Sequence, residues 1–159
     1  MPQLLDLLVG AVVVDLVTVA MNYAEFVFVS KELTRWYTTM RLSAMLSDIL
    51  IVVLYIVGGK MLAGCGADVN TQLLASLGVQ MVGDVLFYKM FELVPRGTVV
   101  FDIFKDYAKE VGHKALVADA ILVSATFLVA LQVPSLSLTH KQLLLMVSTY
   151  VAQYVLYLK

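Results

Sequence analysis

Five stretches of this chain read as helices that cross a lipid bilayer: residues 4–29, 42–63, 71–93, 114–133 and 138–158. A spanning helix needs about 20 apolar residues, because each residue rises about 1.5 Å and the hydrocarbon core is about 30 Å thick. Lipid offers no partner to a backbone N–H or C=O group, so each run must close its own hydrogen bonds. Of the 159 residues, 61% are hydrophobic and 14% are charged, against about 25% charged in a soluble domain. The runs leave little chain for loops, and no linker or low-complexity stretch separates them. The expected fold is all-α: a multi-pass transmembrane helical bundle of about five spans, forming one domain over residues 1–159.

The segments between the runs are informative. Residues 30–41 hold Lys31, Arg35, Trp36, Tyr37 and Arg41. Aromatic and basic residues together anchor a span at the membrane interface. Residues 63–70 carry glycine and Asn/Asp turn chemistry around Cys65, with Asn70 or Thr71 available to cap the next helix. Pro95-Arg96-Gly97 ends the third run. Residues 98–111 then place Phe101, Phe104, Tyr107, Ala108 and Val111 at helical spacing, with charges on the other face. That pattern predicts an amphipathic helix on the bilayer surface. Lys105, Lys109 and Lys114 join Arg35, Trp36, Tyr37 and Arg41 as expected interface anchors, and Glu110 and Lys114 stand at pairing distance if one helix continues through both.

The basic residues set an orientation. With five spans, Lys31, Arg35, Arg41, Lys89, Arg96, Lys105, Lys109, Lys114 and Lys159 share one side, and only Lys60 and Lys141 lie on the other. The basic side is expected to face the cytoplasm. Four spans would put Lys159 opposite the other basic residues, so the choice of five over four rests on that one residue.

Carboxylates inside the runs are the main candidates for function. Asp15, Asp48, Asp84 and Asp119 fall one per span, separated by 33, 36 and 35 residues. An internal helix repeat gives such spacing, and so do helix-plus-loop units of ordinary length. An ionised Asp at the bilayer centre costs about 2.5–3.5 kcal/mol on insertion scales, so these residues should face the bundle interior. Asp15, Thr18, Asn22 and Glu25 form one stripe; Gln72, Ser76, Gln80 and Asp84 form another; Thr149 and Gln153 follow in the last span. The expected intrabundle polar contacts are Asp15, Asn22, Glu25, Asp48, Gln80, Asp84, Asp119 and Gln153, with Gln80, Asp84 and Asn22 as partners of Asp119. Two readings follow: hydrogen-bonded glue between helices, or a path for ions or protons.

No catalytic constellation is present. There is no Ser/His/Asp set, HExxH or phosphate-binding glycine loop, so no enzyme activity and no cofactor is expected. His113 and His140 are a full span apart, so no metal site is expected either. One cysteine forms no internal disulfide, and a net charge of −1 carries no nucleic-acid signature.

The segment from Phe101 to Asp119, a basic aromatic helix running through Gly112 into a span bearing Asp119, resembles small multi-pass membrane proteins of nucleocytoplasmic large DNA viruses of the algal-virus type. The resemblance covers about 20 residues well and the rest in layout. It implies a structural protein of the internal virion membrane, reached through a host membrane during assembly. Such a protein ties the lipid bilayer to capsid proteins, other membrane proteins or copies of itself. The alternative is a small ion- or proton-coupled transporter or channel using the intramembrane carboxylates.

Overall fold

The structure is a computed structural model that describes residues 2–26, 30–64 and 66–159. Among them it contains seven α-helices: α1 (Leu4–Tyr23), α2 (Lys31–Met40), α3 (Leu42–Ala63), α4 (Val69–Leu93), α5 (Val99–Val111), α6 (Lys114–Gln132) and α7 (Leu138–Leu156). Four of them, α1, α3, α4 and α6, are long and apolar enough to cross a membrane. The chain is therefore a multi-pass membrane protein built as a helical bundle.

Helix ends follow local chemistry. Asp6 accepts the Gln3 N–H at 2.7 Å and closes the start of α1. Ser30, Asp68 and Ser137 cap α2, α4 and α7 through Leu33, Thr71 and His140. The cap of α4 is thus Asp68, ahead of the expected Asn70 or Thr71. Pro134 sits in a single 3-10 turn after α6.

The expected first span was too long. The helix ends at Tyr23, where Glu25 turns the chain with a φ of 56°; residues 27–29 lie outside the described residues, as does Cys65. The expected fifth span, α7, is not among the four most apolar helices, because His140, Lys141, Gln142, Ser148, Thr149 and Gln153 dilute it. It nevertheless runs parallel to α1 along the same depth. Lys141 meets Asp6 at the start of both helices, at 2.6 Å, and Tyr23 reaches the Leu156 carbonyl at their ends, at 3.5 Å.

The polypeptide thus traverses the bundle five times. Lys60 at the end of α3 donates to the Pro2 carbonyl at 2.7 Å, so Lys60 and Lys141 lie at the end where α1 begins. The other nine basic residues belong to elements at the opposite end, the basic end. Helix α1 is central, flanked by α3, α6 and α7, and α4 packs along α3. Outward side chains are apolar: Leu54, Leu86 and Met146 are 61%, 64% and 69% exposed. A belt of that kind requires lipid or a partner around it.

The 30–41 segment departs from expectation. It is a helix, α2, and Trp36 and Tyr37 are 5% and 2% exposed instead of lying at the interface. Ten residues are too few to show a clear period, and Trp-Tyr beside Arg has the same composition whether it faces headgroups or the bundle interior. Both helices that are not spans, α2 and α5, lie across the basic end and pack on each other.

Candidate functional site

The four intramembrane carboxylates lie in one layer as two pairs, Asp15 with Asp48 through Tyr37 and Asp84 with Asp119. Helices α3 and α6 enter from the basic end and carry Asp48 and Asp119 as their seventh and sixth residues. Helices α1 and α4 run toward that end and carry Asp15 and Asp84 eight and nine residues before they stop. At about 1.5 Å per residue, all four lie about 8–14 Å below the basic end. The nearly even sequence spacing follows from this layout. Connections at the basic end contain α2 or α5, whereas the α3–α4 connection at the other end is short and is offset by the longer helix stretches below the layer.

Tyrosines link the acids. The Tyr37 hydroxyl lies 2.7 Å from Asp48 Oδ2 and 3.4 Å from Asp15 Oδ1, and Trp36 Nε1 donates to the same Asp48 oxygen at 3.3 Å. Tyr55 donates to Asp84 Oδ1 at 2.7 Å. Gln80 donates to the other Asp84 oxygen and to the Leu116 carbonyl, the latter at 3.3 Å. Asp119 lies within hydrogen-bonding reach of Asp84 and within electrostatic reach of Asp48. No Lys or Arg forms an ion pair with any of the four among the described residues.

The electrostatics of this layer are unusual in one respect. Three buried side-chain atoms have no hydrogen-bond partner among the described residues: Asp15 Oδ2, Asn22 Oδ1 and Gln80 Oε1. All three are acceptors. Buried polar groups are ordinarily satisfied, and an exception calls for a cause. Asp15 Oδ2 and Gln80 Oε1 belong to the carboxylate layer, whereas Asn22 sits one residue from the end of α1, against α2. Between Asp15 and Asp48 lies a cavity of about 10 Å³.

The α2–α5 pair closes the layer on the basic side. Glu110 of α5 accepts from Ser30 Oγ, Lys31 N and Glu32 N at 2.9, 2.9 and 3.0 Å, so its carboxylate sits on the positive end of α2. Partial burial would raise its pKa, but these three donors outweigh burial and hold it below the usual glutamate value. Arg96 and Arg35 approach Asp106 at 2.5 and 3.7 Å, and the Arg96 hydrogen bond lowers the Asp106 pKa. Trp36 packs on Phe104 at 4.8 Å between ring centroids, and Phe104 stacks on Phe91 of α4 at 4.9 Å. Tyr107 of α5 faces the layer. Burial, then the fields of Asp119, Asp48, Glu110 and Asp84, push its hydroxyl above the usual tyrosine range, so it keeps its proton.

Several expected contacts fall elsewhere. Glu25 is exposed and pairs with Lys159 at 3.2 Å, because α1 stops before it. Gln153 is exposed, because α7 turns Ser148, Ala152 and Leu156 inward instead. Asn22 is buried but donates to Thr34 of α2 at 3.1 Å and not to Asp119. Glu110 is committed to α2, and Gly112, with φ 58°, ends α5 before Lys114, so no continuous helix brings those two together. Of the expected anchors, Lys109 and Lys114 are exposed, Lys105 binds the Val94 carbonyl, and Arg41 binds the Leu156 and Lys159 carbonyls, the latter at 2.9 Å.

Trp36 and Tyr37 are expected from the sequence as interface anchors and not as donors to the carboxylates, and neither Tyr55 nor Tyr107 is expected as a site residue. One signal pointed to Tyr55: it follows Asp48 by seven residues, two helical turns, on the same face. The chain matches no family model, and no similar curated protein or solved structure is found.

Proposed function

We propose that this membrane protein handles protons, acting as a small proton-coupled transporter or channel through the Asp15, Asp48, Asp84 and Asp119 layer. One observation carries the reading: among the described residues, one buried and three half-buried carboxyls share a layer with no cationic partner, and Asp15 Oδ2 and Gln80 Oε1 there accept from no donor. Protons relieve such a layer directly. A proton on one member of a carboxyl pair turns a repulsive contact into a hydrogen bond. Among the described residues no three His, Cys, Asp or Glu side chains converge as metal ligands, which favours protons over a divalent cation. Tyr37 and Tyr107 stand between the layer and the basic surface, where protons exchange with water.

Helix α4 continues polar character away from the layer. Gln72, Ser76 and Gln80 are buried, and Ser76 Oγ donates to the Gln72 carbonyl at 2.8 Å and reaches the Ile56 carbonyl at 3.4 Å. That half is a packed seam, so the exchange of protons is assigned to the basic side and any release to the opposite side requires the seam to open. The resemblance of residues 101–119 suggested an anchor touching a protein shell. In the fold, those residues belong to α5, which closes the layer together with α2, and to the start of α6, which brings Asp119 into the layer.

Proteoliposomes loaded with a pH-sensitive dye test the proposal. Under an imposed membrane potential, wild-type protein is expected to move protons, and Asp84→Asn and Asp119→Asn to reduce flux to the level of protein-free liposomes. An amide keeps the helix contacts but cannot carry a proton. Wild-type flux equal to that of empty liposomes, or unaltered flux in both variants, contradicts the proposal.

A further inference from the structure

We propose that the cavity between Asp15 of α1 and Asp48 of α3 is a binding site for one water molecule, which joins the two carboxyls by a second route beside the Tyr37 hydroxyl. Asp15 is 5% exposed. Its Oδ1 is 3.4 Å from the Tyr37 hydroxyl, while its Oδ2 is buried and has no hydrogen-bond partner among the described residues. The cavity that Asp15 lines measures about 10 Å³. A water needs roughly 10–15 Å³ on this measure and two to four polar partners. Asp15, Asp48 and Thr126 contribute polar side chains to the lining, and Ala11, Val52 and Leu122 are among the apolar walls.

Size and chemistry select the occupant. Engineered cavities that remain dry are lined by apolar groups alone, whereas two carboxyls border this one. A hydrated cation is too large for it, and a bare one lacks ligands, since no group of three candidate metal-binding side chains converges among the described residues. A water donates to Asp15 Oδ2, which lacks a donor, and its second proton points to Asp48.

The water also provides a route that one hydroxyl alone lacks. A single O–H donates to one carboxylate at a time, and Tyr37 is committed to Asp48 at 2.7 Å. With water present, a proton on Asp15 Oδ2 passes to the water oxygen as one of the water's own protons passes to Asp48. The water is regenerated, and one proton has moved between the acids. This movement rests on the proton-handling reading; the presence of the water does not.

Solid-state NMR of the full chain in bilayers, with magnetisation transferred from water to ¹³C-labelled aspartates, tests the site without measuring flux. The Asp15 carboxyl carbon is expected to receive magnetisation several-fold faster than the labelled methyls of Val9, which is fully buried on α1 and does not line the cavity. Ala11→Val places extra carbon in the cavity one turn from Asp15 and should slow transfer to Asp15 several-fold, while transfer to Asp119 is unchanged. Transfer to Asp15 no faster than to Val9 in wild type overturns the proposal, whether or not the variant folds. So does an Asp15 signal that changes when sodium replaces choline at fixed pH, since a cation would then occupy the cavity. Flux can fail with the water present, and the water can be absent with flux intact, so the two proposals are tested separately.

Discussion

Gly59→Leu is expected to force α3 and α4 apart and to cause one of the two largest losses of stability among single changes in the bundle. Gly59 is buried, and a Cβ built on it overlaps the backbone N and Cα of Ser76 and its hydroxyl. No rotamer relieves that overlap, because the obstacle is main chain. Helices in lipid associate through close packing of small residues more than through the hydrophobic effect. The Gly59–Ser76 contact lies on the same α3 stripe as Asp48, Val52 and Tyr55, so separation also pulls Tyr55 from Asp84, a 2.7 Å hydrogen bond.

Overpacking costs about 1–3 kcal/mol and occasionally more. A clash with backbone belongs at or above the top of that range. Gly59→Ala should act in the same direction and less strongly. Gly78 on α4 is the control: nothing lies within 4 Å of its added Cβ, and alanine favours a helix interior by about 0.5–1 kcal/mol. Unfolding in mixed micelles checks the series. A Gly59→Leu protein as stable as wild type contradicts the packing described.

Tyr37→Ala is expected to cause a loss of comparable size. The side chain is 2% exposed and fills the junction of α1, α2 and α3. Removing a buried aromatic ring costs about 3–5 kcal/mol by the precedent of Phe→Ala in cores, and the lost hydroxyl leaves Asp48 with only the Trp36 donor. Tyr37→Phe separates the two effects. The ring stays, the donor goes, and the expected loss is about 1–3 kcal/mol, the cost of leaving a buried polar group unsatisfied. In the same unfolding assay, equal losses for Phe and Ala would mean that packing contributes nothing, and no loss for either would mean that α2 does not plug the bundle.

Much of this architecture was legible in the sequence, and the reasons for the remainder are specific. Apolar runs reveal helices because a lipid-facing helix must be apolar over its whole length, as α3 and α6 are. Asp15, Asp48, Asp84 and Asp119 stood out because charge inside such runs is costly. Their common depth did not, since it depends on the direction of each helix and on α2 and α5 lengthening the connections at one end. Trp36 and Tyr37 were misplaced because an interface anchor and a buried plug share one composition. Gln153 was assigned inward from polarity alone, whereas on α7 the small residues Ser148 and Ala152 make the close contact. Gly59 lies inside α3, which runs to Ala63, and its missing Cβ is what admits Ser76 of α4.

The central claim is that four carboxyls from four helices bind protons as two coupled pairs in one layer. Infrared spectroscopy of the protein in bilayers during a pH titration, with each Asp changed to Asn in turn, tests it most directly. The predicted result is coupling: Asp84→Asn shifts the carboxyl band and titration midpoint of Asp119, and Asp48→Asn shifts those of Asp15. Four bands that titrate independently, each untouched by loss of the others, would contradict the account.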